Sequence, residues 1–167
     1  IQVELVKLIT SDHPEHMRLL CETGITKVIL PQFDRIMETE QNNPHHCYSV
    51  GEHTIKAMEN IRADKVLRLT MLFHDMGKPD TKTTDEDGTD HFHGHAAVSQ
   101  QYAKEMLKKL KFDNDTLHTV SKLTYWHDYK IQPDKKGVRR ALNKIGEELF
   151  VLLLEVKRAD TMAQSMY

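Results

Sequence analysis

The run Leu72-Phe73-His74-Asp75-Met76-Gly77-Lys78-Pro79 sets an imidazole and a carboxylate side by side at the end of an apolar helical segment. Such a pair is seldom buried alone, because an ionised carboxylate taken out of water must be neutralised. A divalent cation meets both demands, since it balances the carboxylate and takes the imidazole lone pair. The pair therefore constrains the fold: other helices must carry further ligands to it. The candidates are His53 upstream and His95, His127 and Asp160 downstream.

Each candidate falls on the apolar face of its own expected helix. His53 shares a face with Ala57 and Ile61, His74 follows Leu67 and Met71, His127 follows Val120 and Leu123, and His95 sits near a helix start. Asp160 is the clearest case, because Leu149, Leu153, Val156, Asp160 and Ala163 recur at alternating steps of four and three residues. Eleven histidines in 167 residues guarantee some accidental placements, and a lone histidine on an apolar face is usually a hydrogen-bonded core residue. Joint occurrence around an adjacent His-Asp pair argues against that for the set.

In this order, His53, His74-Asp75, His95, His127 and Asp160 resemble the HD superfamily of metal-dependent phosphohydrolases. The segments NPHHCYSVGEHTIKAME, LFHDMGKPDTKTTDEDGTDHFHGHAAVS and LTYWHDY are similar to the HD region in the carboxy-terminal part of bacterial tRNA nucleotidyltransferases, the CCA-adding enzymes related to poly(A) polymerases. The opening ELVKLITSDHPEHMRLLCETGITKVILPQFDRIMETEQ is similar to the segment preceding that region. The resemblance implies a helical lead-in over 1–42 and an HD phosphohydrolase domain over 43–167. The Gly-Ser motif and paired aspartates on which nucleotide transfer depends in that family are absent from this sequence. With Ile1 as the first residue, the chain reads as a fragment of a longer protein that adds no nucleotides by itself.

The resemblance also divides the ligands. His53, His74, Asp75 and Asp160 form a first site with room for water and substrate. If Asp75 bridges, His95 and His127 hold a second ion, with Asp128 as a further carboxylate ligand or as a surface residue at a helix end. The donor set suits iron, manganese, nickel, cobalt, zinc or magnesium. Two ions roughly 3.5 to 4 Å apart clamp a phosphoryl group for in-line attack, which gives hydrolysis of a phosphomonoester or phosphodiester. Asp75 and Lys78 are the catalytic candidates: Lys78 either contacts a phosphate oxygen or is a cation at a helix C-terminus. His91 and His93 alternate on an expected strand and flank the pocket. The expected substrates are a nucleotide, a 2′,3′-cyclic phosphate or a phosphorylated RNA 3′ end, with tRNA as a partner of the full-length protein. The competing readings are a tRNA-binding body region and a structural ion site.

Length and a hydrophobic content of 39% suffice for one core. The longest apolar run, Leu149 to Val156, is too short to span a bilayer, and Ile1 to Ser11 lacks the features of a secretory signal. Cys21 and Cys47 form no CxxC pair, which fits a reduced, cytoplasmic location. A net charge of −2 argues against a generally basic nucleic-acid binder. Local basic runs at Lys104, Lys108, Lys109 and Lys111 and at Lys135, Lys136, Arg139 and Arg140 are solvated helix faces or phosphate contacts.

The periodicity predicts an all-α bundle with one β-hairpin insertion. Helices are expected at Gln2–Ile9, Asp12–Thr23, Ile29–Glu40, Val50–Ile61, Lys65–Met76, His95–Leu110, Asp115–Tyr129, Gly137–Ile145 and Glu147–Ser165, with a polar loop over Gln41–Tyr48. Gly77 is expected to end the His-Asp helix in a left-handed conformation. Thr81 to Thr84, the Asp87-Gly88 turn and His91-Phe92 read as the hairpin.

Overall fold

The computed structural model describes residues 1–46 and 48–164. In chain order it contains α1 (Gln2–Ile9), a 3₁₀ turn (Pro14–His16), α2 (Met17–Glu22), α3 (Ile25–Ile29), α4 (Pro31–Met37), α5 (Val50–Glu59), α6 (Lys65–Phe73) and α7 (Lys78–Thr81). A hairpin of β1 (Thr83–Thr84) and β2 (Asp90–His91) follows, then α8 (His95–Lys109), α9 (Asn114–Trp126), α10 (Lys135–Ile145) and α11 (Glu147–Met162). The strands are antiparallel, with Thr83 opposite His91 and Thr84 opposite Asp90. The fold is thus all-α with one small hairpin, as the periodicity predicts.

Helix starts follow side-chain chemistry. Ser49, Asp64, Asp113 and Asp134 accept the N–H groups of Glu52, Leu67, Thr116 and Gly137, each cap worth about 1 kcal/mol. Two expected helices are broken. The expected Asp12–Thr23 helix begins instead as the 3₁₀ turn at Pro14. The expected Ile29–Glu40 helix divides at Leu30, which adopts φ −153 and ψ 65, because the residue before Pro31 is driven out of the helical region. Ser165, at the expected end of the last helix, and Cys47 lie outside the described residues.

The core surrounds α6, which packs against α9, α5, α11 and α1. Phe33, Ile55, Met58, Leu69, Leu72 and Phe73 are fully buried there. Arg68 is buried as well: its guanidinium donates to the carbonyls of Ile9 (2.7 Å) and Ile61 (2.9 Å), which ties the end of α1 to α6. Among the described residues no helix is long and apolar enough to cross a membrane. Cys21 is a free thiol whose Sγ donates to Asp34 at 3.1 Å.

Candidate metal centre

α6 stops at Phe73 because the chain turns there, so His74 and Asp75 project from a tight turn rather than from the helix itself. Gly77 is right-handed (φ −81, ψ −7), which corrects the expected left-handed cap. Its role is close approach. A Cβ at Gly77 would stand 2.5 Å from the His95 carbonyl oxygen and 2.7 Å from the Ser99 nitrogen, and the Gly77 N–H donates to Ser99 Oγ at 2.8 Å. The missing side chain lets the His-Asp turn lie directly on α8, whose first residue is His95. Gly94, at φ 81, supplies the left-handed entry to that helix.

Six of the expected ligands converge. His53 comes from α5, His74 and Asp75 from the turn after α6, His95 from α8, His127 from the end of α9 and Asp160 from α11. On one side of Asp75, His53 Nε2 lies 3.3 Å from His74 Nε2 and 2.8 Å from Asp160 Oδ1. Asp75 Oδ2 lies 3.4 Å from His53 Nε2 and 3.2 Å from His74 Nε2. On the other side, Asp75 Oδ1 lies 3.2 Å from His95 Nε2 and 3.5 Å from His127 Nε2, which are 3.2 Å from each other. The carboxylate of Asp75 therefore gives one oxygen to each imidazole pair.

These separations fit a cation. Ligand atoms about 2.1 Å from a common ion stand about 3.0 Å apart in an octahedral array and about 3.4 Å apart in a tetrahedral one. The tautomers agree. Nδ1 of His53, His74, His95 and His127 meets the carbonyl of Ala163, Met71, Phe92 and Thr124, at 3.1, 2.6, 2.9 and 2.6 Å. A carbonyl accepts only, so each Nδ1 carries a proton and each Nε2 faces inward, where its lone pair is the one a cation would take. Lone pairs and carboxylate oxygens crowded together repel unless positive charge lies between them. Asp75 Oδ2 is buried with no hydrogen-bond donor in line among the described residues; Lys78 Nζ is 2.9 Å away but poorly aimed. The cluster has the make-up of a divalent metal centre.

The protonation equilibria express the same crowding. Burial opposes charge on His74, yet the Asp75 and Asp160 carboxylates push it up to about 10. Burial opposes ionisation of Asp75 and Asp160, but His74 and Lys78 hold the first, and His53 and His74 the second, well below the usual carboxylate range. His95 is raised by Asp75 against its burial, whereas burial lowers His127. A proton on His74, together with the Lys78 ammonium, is the charge with which the chain alone balances the two carboxylates, and a cation bound at Nε2 would displace that proton.

Asp75, His95, His127 and Asp160 line a cavity of about 270 Å³ whose wall also includes His46, Asp90, His93 and Asp128. Asp128 is exposed at this rim and is not among the atoms that converge with His95 and His127. Lys78 opens α7 and is buried. Its Nζ donates to Gln41 Oε1 at 2.8 Å and lies over the Phe92 ring at 5.2 Å. His91 ends β2 and stacks at 5.5 Å on His93, which lies in the turn before α8 and not on the strand as expected; both line the cavity.

Sequence reasoning missed Gln41, Ser99 and Asp90. Asp90 is buried, and its carboxylate accepts from the Asn42 N–H (2.9 Å) and Thr84 Oγ1 (2.6 Å) and meets Lys82 Nζ (3.0 Å). It fastens the hairpin to the 41–46 loop. Burial would raise its pKa, but these partners prevail and hold it at about 2. A depressed carboxylate contributes stability that is complete above its unfolded value, 3.8, and is lost as pH falls through about 2. The melting temperature of the wild type should therefore exceed that of Asp90→Asn at neutral pH by a constant margin that closes between pH 3.8 and 2. A margin unchanged across that window contradicts the assignment.

Comparison with known proteins agrees with the geometry. The family model described as HD domain matches residues 45–164, and the one described as probable RNA and SrmB-binding site of polymerase A matches residues 1–37. A CC-adding tRNA nucleotidyltransferase of Thermus thermophilus is 31% identical over 98% of this chain and 39% of its own length. An A-adding tRNA nucleotidyltransferase of Deinococcus radiodurans is 30% identical over 84% of this chain and 33% of its own. A bifunctional uridylyltransferase/uridylyl-removing enzyme of Ruegeria pomeroyi is 25% identical over 72% of this chain and 14% of its own. The chain thus spans 39% or less of these relatives. Because the matched stretch 45–164 contains the adjacent His74-Asp75 pair and every side chain that converges on it, the chain belongs to the HD domain family.

Proposed function

We propose that this chain is a metal-dependent phosphohydrolase domain of a tRNA nucleotidyltransferase-like protein, acting on a phosphate or 2′,3′-cyclic phosphate at an RNA 3′ end or on a nucleotide. The carrying observation is Asp75, whose two oxygens face separate imidazole pairs at the floor of a solvent-reached cavity. A purely structural ion would need neither a second ligand group nor a cavity. Residues 43–167 would form the hydrolytic part and 1–42 a helical lead-in.

His53, His74, Asp75 and Asp160 would hold one divalent ion, and Asp75, His95 and His127 a second. Bound there, the ions supply Lewis acidity toward a phosphoryl oxygen. The chain does the rest. The four Nδ1–H to carbonyl bonds fix the rings, and Lys78 holds Asp75 ionised and in place between the pairs. Asp128 at the rim, like His91 and His93, is placed to orient substrate or water over Asp75. A relative named for both adding and removing uridylyl groups supports hydrolysis, since removing such a group breaks a phosphodiester bond. Hydrolysis at an RNA 3′ end would expose the hydroxyl that nucleotide addition requires.

The test is turnover of 2′,3′-cyclic AMP and p-nitrophenyl phosphate by the chain with manganese, nickel, cobalt, zinc or magnesium added. Metal-dependent hydrolysis that disappears in Asp75→Asn is expected, with no transfer of CTP or ATP to tRNA. A metal-loaded chain inert on every phosphoester would favour the second reading, a tRNA-binding body region, which the RNA-binding family model over residues 1–37 supports.

A further inference from the structure

Three of the seven arginines of this chain are neutralised by a carboxylate. Arg18, Arg35 and Arg62 each grip a carboxylate of Glu52, Asp80 or Glu155. The stretch after His127 is different. Lys130, Lys135, Lys136, Arg139, Arg140 and Lys144 are all exposed, and among the described residues none of them has a carboxylate within salt-bridge distance. The acids between His127 and Gly146 are Asp128, at the cavity rim, and Asp134, whose side chain is engaged in capping α10. A chain with net charge −2 thus concentrates uncompensated positive charge on one helix.

Aromatic rings lie beside these cations. Trp126 is flanked edge-on by Tyr125 and Tyr129 at 5.0 and 5.3 Å. Lys144 Nζ sits 5.8 Å over Trp126 and 5.3 Å over Tyr129, joining α10 to the ring cluster. Trp126 and Tyr129 bracket His127 and Asp128, the residues that reach the cavity from this side. The other basic run has no such position. α8 starts at the site with His95, so Lys108 and Lys109 at its far end stand about 20 Å away along the helix axis.

We propose that the exposed face of α10 and the Tyr125-Trp126-Tyr129 cluster form a docking surface for single-stranded RNA that leads a strand end to the Asp75 cavity. Unpaired cations fit a phosphate backbone. Aromatic rings offer stacking to unpaired bases, which duplex RNA does not present. α10 is about 16 Å long, the length of about five stacked nucleotides at about 3.4 Å each. The surface lies outside residues 1–37, where the RNA-binding family model matches. The strand's destination rests on the phosphohydrolase reading; the docking itself does not.

Trp126 is the chain's one tryptophan, so its fluorescence reports on this surface alone. Titration of the 167-residue chain with a short oligoadenylate should quench it, and binding should weaken as salt rises. Arg139→Glu with Arg140→Glu should weaken binding at least about tenfold and reduce the slope of log affinity against log salt by about 1.4, two single-strand phosphate contacts. Tyr129→Ala should weaken it about tenfold while leaving the salt slope unchanged. Metal content and turnover of p-nitrophenyl phosphate should stay at the wild-type level in the Arg139/Arg140 variant. Wild-type affinity in that variant, binding without quenching, or preference for duplex RNA would overturn the proposal. So would equal quenching by heparin with the same dependence on Tyr129, which would make the surface a general polyanion site. Quenching that follows these expectations in a chain that hydrolyses nothing supports the docking surface and defeats only the phosphohydrolase reading.

Discussion

Asp75→Ala is expected to leave the chain without bound metal and without hydrolysis, whereas His127→Ala should keep most of one ion. The difference follows from how the carboxylate is shared. Oδ2 belongs to the group of His53, His74 and Asp160, and Oδ1 to the pair His95 and His127. Removing Asp75 takes a ligand from both groups and leaves the second with two imidazoles. Removing His127 leaves the first group whole. The loss of affinity in Asp75→Ala should exceed about 100-fold, the upper range for deleting a residue that only supports a ligand. Asp75→Asn keeps the shape of the side chain and separates loss of charge from loss of packing; it should behave like Asp75→Ala. Metal per chain after dialysis against a limiting free concentration is the measurement. Equal retention in the Asp75 and His127 variants would contradict the shared carboxylate.

The convergence of these six side chains was legible because periodicity carries it. Asp160 falls in the stripe Leu153, Val156 and Ala163, and the helix places its carboxylate 2.8 Å from His53 across 107 residues of chain. A polar residue in an apolar stripe is a local signal of a distant partner. Residues that act through one long-range hydrogen bond leave no such mark. Gln41 reads as part of a polar loop, yet it is buried and holds Lys78. Asp90 lies between the expected Asp87-Gly88 turn and His91 with nothing local to mark it, yet it pins the hairpin. Arg68 reads as one charge in an amphipathic helix, yet its guanidinium closes two carbonyls from other segments. Gly77 shows the opposite failure. A glycine after a helix normally signals left-handed backbone, but here it answers a steric demand from α8 that belongs to the packed fold and not to the local sequence. Helix ends drifted for related reasons, since Pro14 and Pro31 act on the residues before them more strongly than the apolar pattern does.

Removing the metal should lower the melting temperature by roughly 8 to 16 °C. An ion held with free metal at about 1,000 times its dissociation constant stabilises the folded chain by about 4 kcal/mol, and for a domain near this size each kcal/mol moves the midpoint by about 2 to 4 °C. The stabilisation is large because the ligands come from five separate parts of the chain, which the unfolded state does not hold together. The apoprotein is the informative comparison. With His74 pushed up to about 10, the chelated chain keeps a proton at neutral pH where the ion would otherwise sit, so rebinding metal near pH 7 should release protons into a weakly buffered solution. Calorimetric titration in two buffers of different ionisation enthalpy reads that release directly. A melting temperature indifferent to chelator, with elemental analysis confirming that metal has left, would mean that the six groups are held in place by packing and protons alone. That outcome would remove the cation from the account of stability while leaving the geometry of the cluster as described.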